Sequence, residues 1–183
     1  MGVILLKLTA QLMDETSMLR SLARITHEII ERNKGAENLF LIGIKRRGVP
    51  LAEILRDNIM KFENVSVPCG TVDITLYRDD LSELSPLPLR GESLIAGNIT
   101  GKTVILVDDV IYTGRTARAA IDAVFDQGRP QAVQLAVLVD RGHRELPIKP
   151  DFVGKNVPTS KDEVICVKVR EFDSEMAVWI GRI

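Results

Sequence analysis

Three short, largely apolar runs, Leu39–Ile44, Thr103–Val107 and Ala132–Val139, limit what this chain can fold into. They are too short for buried helices and lack the alternation of a strand with one wet face. They read as strands covered on both faces. Helical patterns separate them. Met18, Leu19, Leu22, Ile25, Ile29 and Ile30 recur at three- and four-residue steps, with Asp14 or Thr16 placed to cap the start and Gly35 where a left-handed stop belongs. Pro50 falls in the first turn of a second helix running to about Phe62, and a third helix spans about Thr113 to Gln127, closed by Gly128. Strand alternating with helix predicts an α/β fold, a mainly parallel sheet with helices on both faces. Further strands are expected at Val65–Val67, Val72–Tyr77, Val164–Val169 and Met176–Ile180, and Val3–Leu8 reads as an edge strand or as packing for the first helix.

The 183 residues, 45% of them hydrophobic, suit one domain over 1–183, with no linker or repeat to divide it. A formal net charge of −1 offers no global basic field, so any nucleic-acid contact must come from a local patch. Cys69 and Cys166 have neither metal nor disulfide spacing, which suits a reducing cytoplasm. Lys7 interrupts the first apolar stretch, which is too short for a signal or a membrane span, and Leu6 breaks a myristoylation pattern. No membrane contact is expected. Residues 78–101, with Pro86, Pro88, Gly91, Gly97 and Gly101, read as a long loop, of a length that inside a compact domain is usually a functional lid or disordered.

Chemistry concentrates in Val104–Ala120. A hydrophobic strand runs into the adjacent carboxylates Asp108 and Asp109. A short loop, Val110-Ile111-Tyr112, then enters a helix at Thr113-Gly114-Arg115-Thr116. Ligands of open parallel sheets sit beyond the carboxyl ends of strands, and a helix N-terminus offers unpaired N–H groups to a phosphate. Gly114 permits close approach, the two threonines add hydroxyl donors, and Arg115 adds charge. A ribose 5-phosphate fits both parts, its phosphate in the cradle and its ring hydroxyls on the carboxylates. No Gly-Lys-Ser/Thr follows, so this is not a Walker loop.

This segment resembles the phosphoribosyl pyrophosphate (PRPP) signature of the type I phosphoribosyltransferases. Asp73–Asp80, Val139–Ile148 and Pro150–Ser160 narrow the resemblance to the bacterial pyrimidine operon attenuation regulators that double as uracil phosphoribosyltransferases. The likeness runs from about Leu19 to Val169. It implies the type I fold, with a flexible loop at about 78–101 and a small base-covering hood at about 140–163. It also implies transfer from PRPP to uracil, giving UMP and diphosphate, with Mg²⁺ held mainly by PRPP and no protein-side metal site.

By that resemblance, Asp108 and Asp109 grip the ribose hydroxyls, and Val110–Thr116 bind the nucleotide, with Thr113–Thr116 on the 5-phosphate. Lys45, Arg46, Arg47 and Gly48 match the pyrophosphate loop. Taken alone, those cations read equally well as a solvated charge run, and Arg46 stands where a Thr is expected. Arg78, opening the long loop, would meet the pyrophosphate or pair with Asp79 or Asp80. Asp140 and Val164 match the base-binding positions.

The resemblance further implies UMP-dependent binding to a pyr leader mRNA hairpin and a homodimer or higher homo-oligomer. The candidate RNA contacts are Arg24, His27 and Arg32 on the first helix, with Arg141, His143, Arg144, Lys149 and Lys155. Arg24, His27 and Arg32 are spaced to share a helix face. Charge alone favours ordinary solvated surface here, and Ala23 stands where a Thr is expected. A plain salvage phosphoribosyltransferase without RNA binding is the alternative.

Overall fold

The computed structural model describes residues 7–75, 95 and 97–182. The elements run β1 (Lys7–Met13), α1 (Glu15–Asn33), β2 (Leu39–Ile44), α2 (Gly48–Glu63), β3 (Cys69–Val72), β4 (Thr103–Ile111), α3 (Arg115–Gln127), β5 (Ala132–Asp140), β6 (Phe152–Asn156), β7 (Glu163–Lys168), α4 (Arg170–Asp173) and β8 (Ala177–Arg182).

Five strands form a parallel sheet in the order β3-β2-β4-β5-β6. Every residue of β2 is buried because both faces are covered. Leu39 and Leu41 join the core with Met18, Leu22 and Ile25 of α1 and Leu51 and Leu55 of α2. Phe40 and Ile42 face the other way, into a second cluster with Ala117, Ala120 and Val124 of α3. β1, β8 and β7 make a separate antiparallel sheet from the two ends of the chain. Met13, Ile165, Val167 and Val178 bring that sheet into the first core cluster.

The α1 start is capped by Asp14, whose carboxylate accepts the Ser17 N–H at 2.8 Å. Lys34, not Gly35, takes the left-handed cap position, and the Gly35 N–H reaches back to the Ile30 carbonyl at 3.0 Å.

Three expectations move. The Val65–Val67 stretch is not a strand, and the edge strand lies at Cys69–Val72 instead of starting at Val72. It stops there because Asp73 captures the N–H and hydroxyl of Thr75 at 3.0 and 2.6 Å, which takes that backbone out of the ladder; Tyr77 lies outside the described residues. The N-terminal strand is described over Lys7–Met13, beyond the expected end at Leu8, and residues 3–6 lie outside the described residues. Within the segment 140–163, expected as base cover, Phe152–Asn156 is the edge strand of the main sheet.

Candidate active site

From β2 the chain moves outward to β3, then crosses back to β4 on the other side of β2. The crevice at the carboxyl ends of β2 and β4 is therefore the topological switch point, where open α/β sheets bind ligands. The loop after β2 brings Lys45, Arg46 and Arg47 to it, and β4 brings Asp108 and Asp109. Together with Ile74, Val110 and Thr116, these residues line a cavity of about 330 Å³. A second cavity of about 400 Å³ shares Asp108, Val110 and Thr116 and adds Ile111–Arg115, Ala117, Leu135, Val137 and Glu145. Cations and carboxylates thus meet at one mouth, with the start of α3 beside them.

Two glycines permit this approach. A Cβ on Gly48 would lie 2.2 Å from the Val107 carbonyl oxygen, so only glycine lets the start of α2 sit against β4. Gly114 has φ +94° as the N-cap of α3, in the region that side chains disfavour.

Burial raises both carboxyls of the pair. Asp108 is pushed well above the ordinary carboxylate range by desolvation and then by the charge of Asp109. Asp109 is raised by desolvation, opposed by its contacts to Asp108, the Val110 N–H and the charge of Arg47. The Asp109 N–H donates to Asp108 Oδ1 at 2.9 Å, and the Val110 N–H donates to Asp109 Oδ1 at 2.8 Å.

The pyrophosphate-loop candidates have partners already. Lys45 Nζ lies 3.6 Å from Asp73. Arg46 lies over the Phe172 ring, 5.8 Å from its centroid. Arg47 forks onto Asp173. Arg78 lies outside the described residues.

The base candidates stand apart from both cavities. Asp140 accepts the Gly142 N–H on Oδ1 and Arg144 on Oδ2, so both of its oxygens are occupied. Val164 is a half-buried residue of β7.

The RNA candidates divide. Arg24 donates to the β6 carbonyls of Val153 and Gly154 and pairs with Glu28. Arg32 pairs with Asp151 at 2.9 Å. His27 turns to α2 instead and stacks on Phe62, ring centroids 4.3 Å apart. The expected single face is therefore two: Arg24 and Arg32 turn toward β6, His27 toward α2. Arg141 is 7% exposed, lies over the Tyr112 ring and donates to the carbonyls of Ser160 and Glu163. His143 Nε2 lies 2.6 Å from the Thr159 carbonyl. The side chains of Lys149 and Lys155 are exposed and make no hydrogen bond or ion pair among the described residues.

Two participants escaped the sequence. Glu145 pairs with Arg115 at 2.9 Å, and Asp173 holds Arg47. No local pattern marks either, since their partners lie 30 and 126 residues away.

Among the described residues no three His, Cys, Asp or Glu side chains converge as a metal cluster, and no helix is long and apolar enough to cross a membrane.

A family model described as a phosphoribosyl transferase domain matches residues 9–171. Bifunctional protein PyrR of Clostridium perfringens (strain SM101 / Type A) is 60% identical over 173 residues, 94% of this chain and 97% of that one. The protein of the same name from Acetivibrio thermocellus is 60% identical over 174 residues, 95% of each chain. Among solved structures, a hypoxanthine-guanine phosphoribosyltransferase from Bacillus anthracis superposes with a TM-score of 0.73 at 22% identity, covering 97% of this chain and 99% of that one. The hypoxanthine phosphoribosyltransferase of Trypanosoma cruzi gives 0.72 at 19% identity, over 96% and 97%. These two establish the shared fold, and the closer sequence relatives refine the family. The chain belongs to the phosphoribosyltransferase family, on the branch of the bifunctional PyrR proteins.

Proposed function

We propose that this chain is a uracil phosphoribosyltransferase, taking uracil and PRPP to UMP and diphosphate. We propose also that it regulates pyrimidine biosynthesis genes by UMP-dependent binding to pyr leader mRNA, causing transcription attenuation. The observation that carries the catalytic reading is the Asp108–Asp109 pair at the switch-point crevice, between the cationic loop Lys45–Gly48 and the N-terminus of α3.

On this reading the transfer runs as follows. The 5-phosphate sits on the N–H groups and hydroxyls of Thr113–Thr116, at the positive end of α3. The carboxylates of Asp108 and Asp109 accept hydrogen bonds from the ribose hydroxyls and stabilise positive charge as the C1–O bond to diphosphate breaks. The diphosphate leaves with the bonding pair toward Lys45, Arg46 and Arg47. Uracil N1 bonds to C1 as the C1–O bond breaks, and its proton passes to the departing diphosphate, which carries the bonding pair. Asp140, at the end of β5, and Val164, in β7, are assigned to the base by family resemblance alone, since neither lines the two cavities and both Asp140 oxygens are already bonded. A Mg²⁺ held mainly by PRPP would neutralise diphosphate charge when bound, with Asp108 and Asp109 as the carboxylates that share the crevice with the cationic loop.

The regulatory reading is supported by the 60% identity to proteins called bifunctional, and by Lys149, Lys155 and His27 as exposed candidates. A homodimer or higher homo-oligomer in a reducing cytoplasm completes it. The plain salvage enzyme gains from one observation: Arg24, Arg32, Arg141 and Arg144 are engaged within the chain, which thins the free basic surface.

Filter binding to a pyr leader hairpin, with and without UMP, alongside an assay of UMP synthesis, tests both readings. UMP-enhanced, sequence-dependent binding with turnover is expected. Turnover with no preference over a scrambled hairpin leaves the salvage enzyme, and no turnover with uracil removes the catalytic assignment.

A further inference from the structure

The segment after β5 folds back against the loop that leads into α3, and Arg144 is its anchor. Its guanidinium makes four hydrogen bonds: Nη1 to the carbonyls of Tyr112 (2.8 Å) and Gly142 (3.4 Å), Nε to that of Ile148 (3.0 Å), and Nη2 to Asp140. One N–H of five remains. The next two residues continue the seam, with the N–H groups of Glu145 and Leu146 both donating to the Thr113 carbonyl, at 2.9 and 3.1 Å.

Peptide planarity gives this seam a consequence. The carbonyl of Tyr112 and the N–H of Thr113 belong to one trans peptide unit and point in opposite directions. Pinning the Tyr112 carbonyl on Arg144 therefore aims the Thr113 N–H away from the seam. The Thr113 carbonyl and the Gly114 N–H are related in the same way. Neither N–H finds an acceptor among the described residues, and Thr113 and Gly114 both line the larger of the two cavities.

We propose that Arg144 is a positioning residue for the phosphate cradle, and that it reaches RNA binding only through nucleotide affinity. It holds the peptide that presents the Thr113 N–H, with Asp140 fixing the guanidinium. This departs from the expectation that Arg144 contacts RNA. Its fork is spent on acceptors within the chain, and its side chain is only 22% exposed. The RNA part of the proposal rests on the functional reading above; the phosphate part does not.

Three measurements on wild type, Arg144→Lys and Arg144→Ala test it. Lysine keeps the charge but cannot hold four acceptors in a planar fork. Ribose 5-phosphate binding by calorimetry requires neither turnover nor RNA, and both variants should bind it about tenfold more weakly, the loss of one charge-assisted hydrogen bond. In kinetics, KM for PRPP should rise by a similar factor while kcat stays within about threefold. In RNA binding, the UMP concentration at half effect should rise in step, with unchanged RNA affinity at saturating UMP.

Unchanged ribose 5-phosphate binding overturns the proposal. So does weaker RNA binding at saturating UMP with an unmoved UMP midpoint, which is the pattern of a direct RNA contact. If wild type binds ribose 5-phosphate but no RNA, the regulatory reading fails while the calorimetry still decides the role of Arg144. Should both variants lose their cooperative melt, Asp140→Asn, which leaves Arg144 in place, serves instead. Weaker ribose 5-phosphate binding there supports the proposal, and wild-type binding overturns it.

Discussion

Arg47 and Asp173 form a bidentate ion pair, with Nη2 lying 2.9 Å from Oδ1 and 3.1 Å from Oδ2. It ties the loop after β2 to α4, between the last two strands of the second sheet. Burial alone would raise the Asp173 carboxyl, but the Arg47 fork and the Val169 N–H hold it below its ordinary value. A depressed carboxyl contributes stability that is present above its unfolded pKa and lost as pH falls through the folded one. Asp173→Asn should therefore cost about 1 kcal/mol at neutral pH, the upper end for partly exposed pairs. Thermal melts should show the gap from wild type closing as pH drops through and below the ordinary carboxylate range. A pH-independent gap would mean that packing, not charge, is what the substitution removes.

The sign is opposite at the other carboxyls. Asp108 is raised by desolvation and by Asp109, so its ionised form burdens the folded state. Its stability contribution is present below the unfolded pKa and lost as pH rises through the folded one. Asp108→Asn should be more stable than wild type at alkaline pH, with the difference shrinking on acidification, while UMP synthesis collapses. Such an exchange of stability for function is common where a site must hold charge out of water. Melting curves across pH, beside an activity assay, check both halves.

Asp109→Asn keeps the shape and removes one acceptor. Turnover should fall about a hundredfold or more, as when one preorganised electrostatic partner is lost at a reacting centre, while PRPP still binds through the phosphate cradle. Single-turnover kinetics with calorimetry separate the two effects. Unchanged turnover would remove Asp109 from the reaction.

The parts of this molecule legible in its sequence are those whose physics is local. β2 was readable because a strand buried on both faces must be apolar throughout, and Asp108–Thr116 because strand end, acid pair and helix start follow one another. β6 was not, since Phe152 is its one fully buried side chain and no alternation shows. β1 was legible only at its start, Lys7 and Leu8, since it pairs with β8 across nearly the whole chain and its residues up to Gln11 are exposed. Arg144 showed the same limit at the site. Its charge was visible and the family resemblance assigned it to RNA, but its four acceptors are set by tertiary folding.

Gly48 offers a direct test of how closely the two site loops must approach. An added Cβ would sit 2.2 Å from the Val107 carbonyl oxygen and 3.3 Å from the Asp108 Cα, both backbone atoms with little room to yield. Gly48→Ala should cost about 3 kcal/mol, the upper range of overpacking, read from the midpoint of urea denaturation. Residual folded protein should show a raised KM for PRPP, because separating α2 from β4 widens the mouth between the cations and the acid pair.

The proposed RNA surface makes a graded prediction. Lys155, at the end of β6, keeps its charge for solvent, whereas Arg24 spends Nη2 on the carbonyls of Val153 and Gly154 and Nη1 on Glu28. A free lysine that meets a phosphate releases a counterion, so Lys155→Ala should lower the slope of log affinity against log salt by about one. The loss should be similar for specific and scrambled hairpins. Arg24→Ala should also weaken binding, but with a lower melting temperature, because it unties α1 from β6. His27→Ala, which removes a ring stacked on Phe62 at the α1–α2 surface, should reduce hairpin affinity while UMP synthesis continues. Salt titrations of hairpin binding decide between the roles: if Arg24→Ala lowers the slope as much as Lys155→Ala does, its guanidinium leaves β6 when RNA arrives.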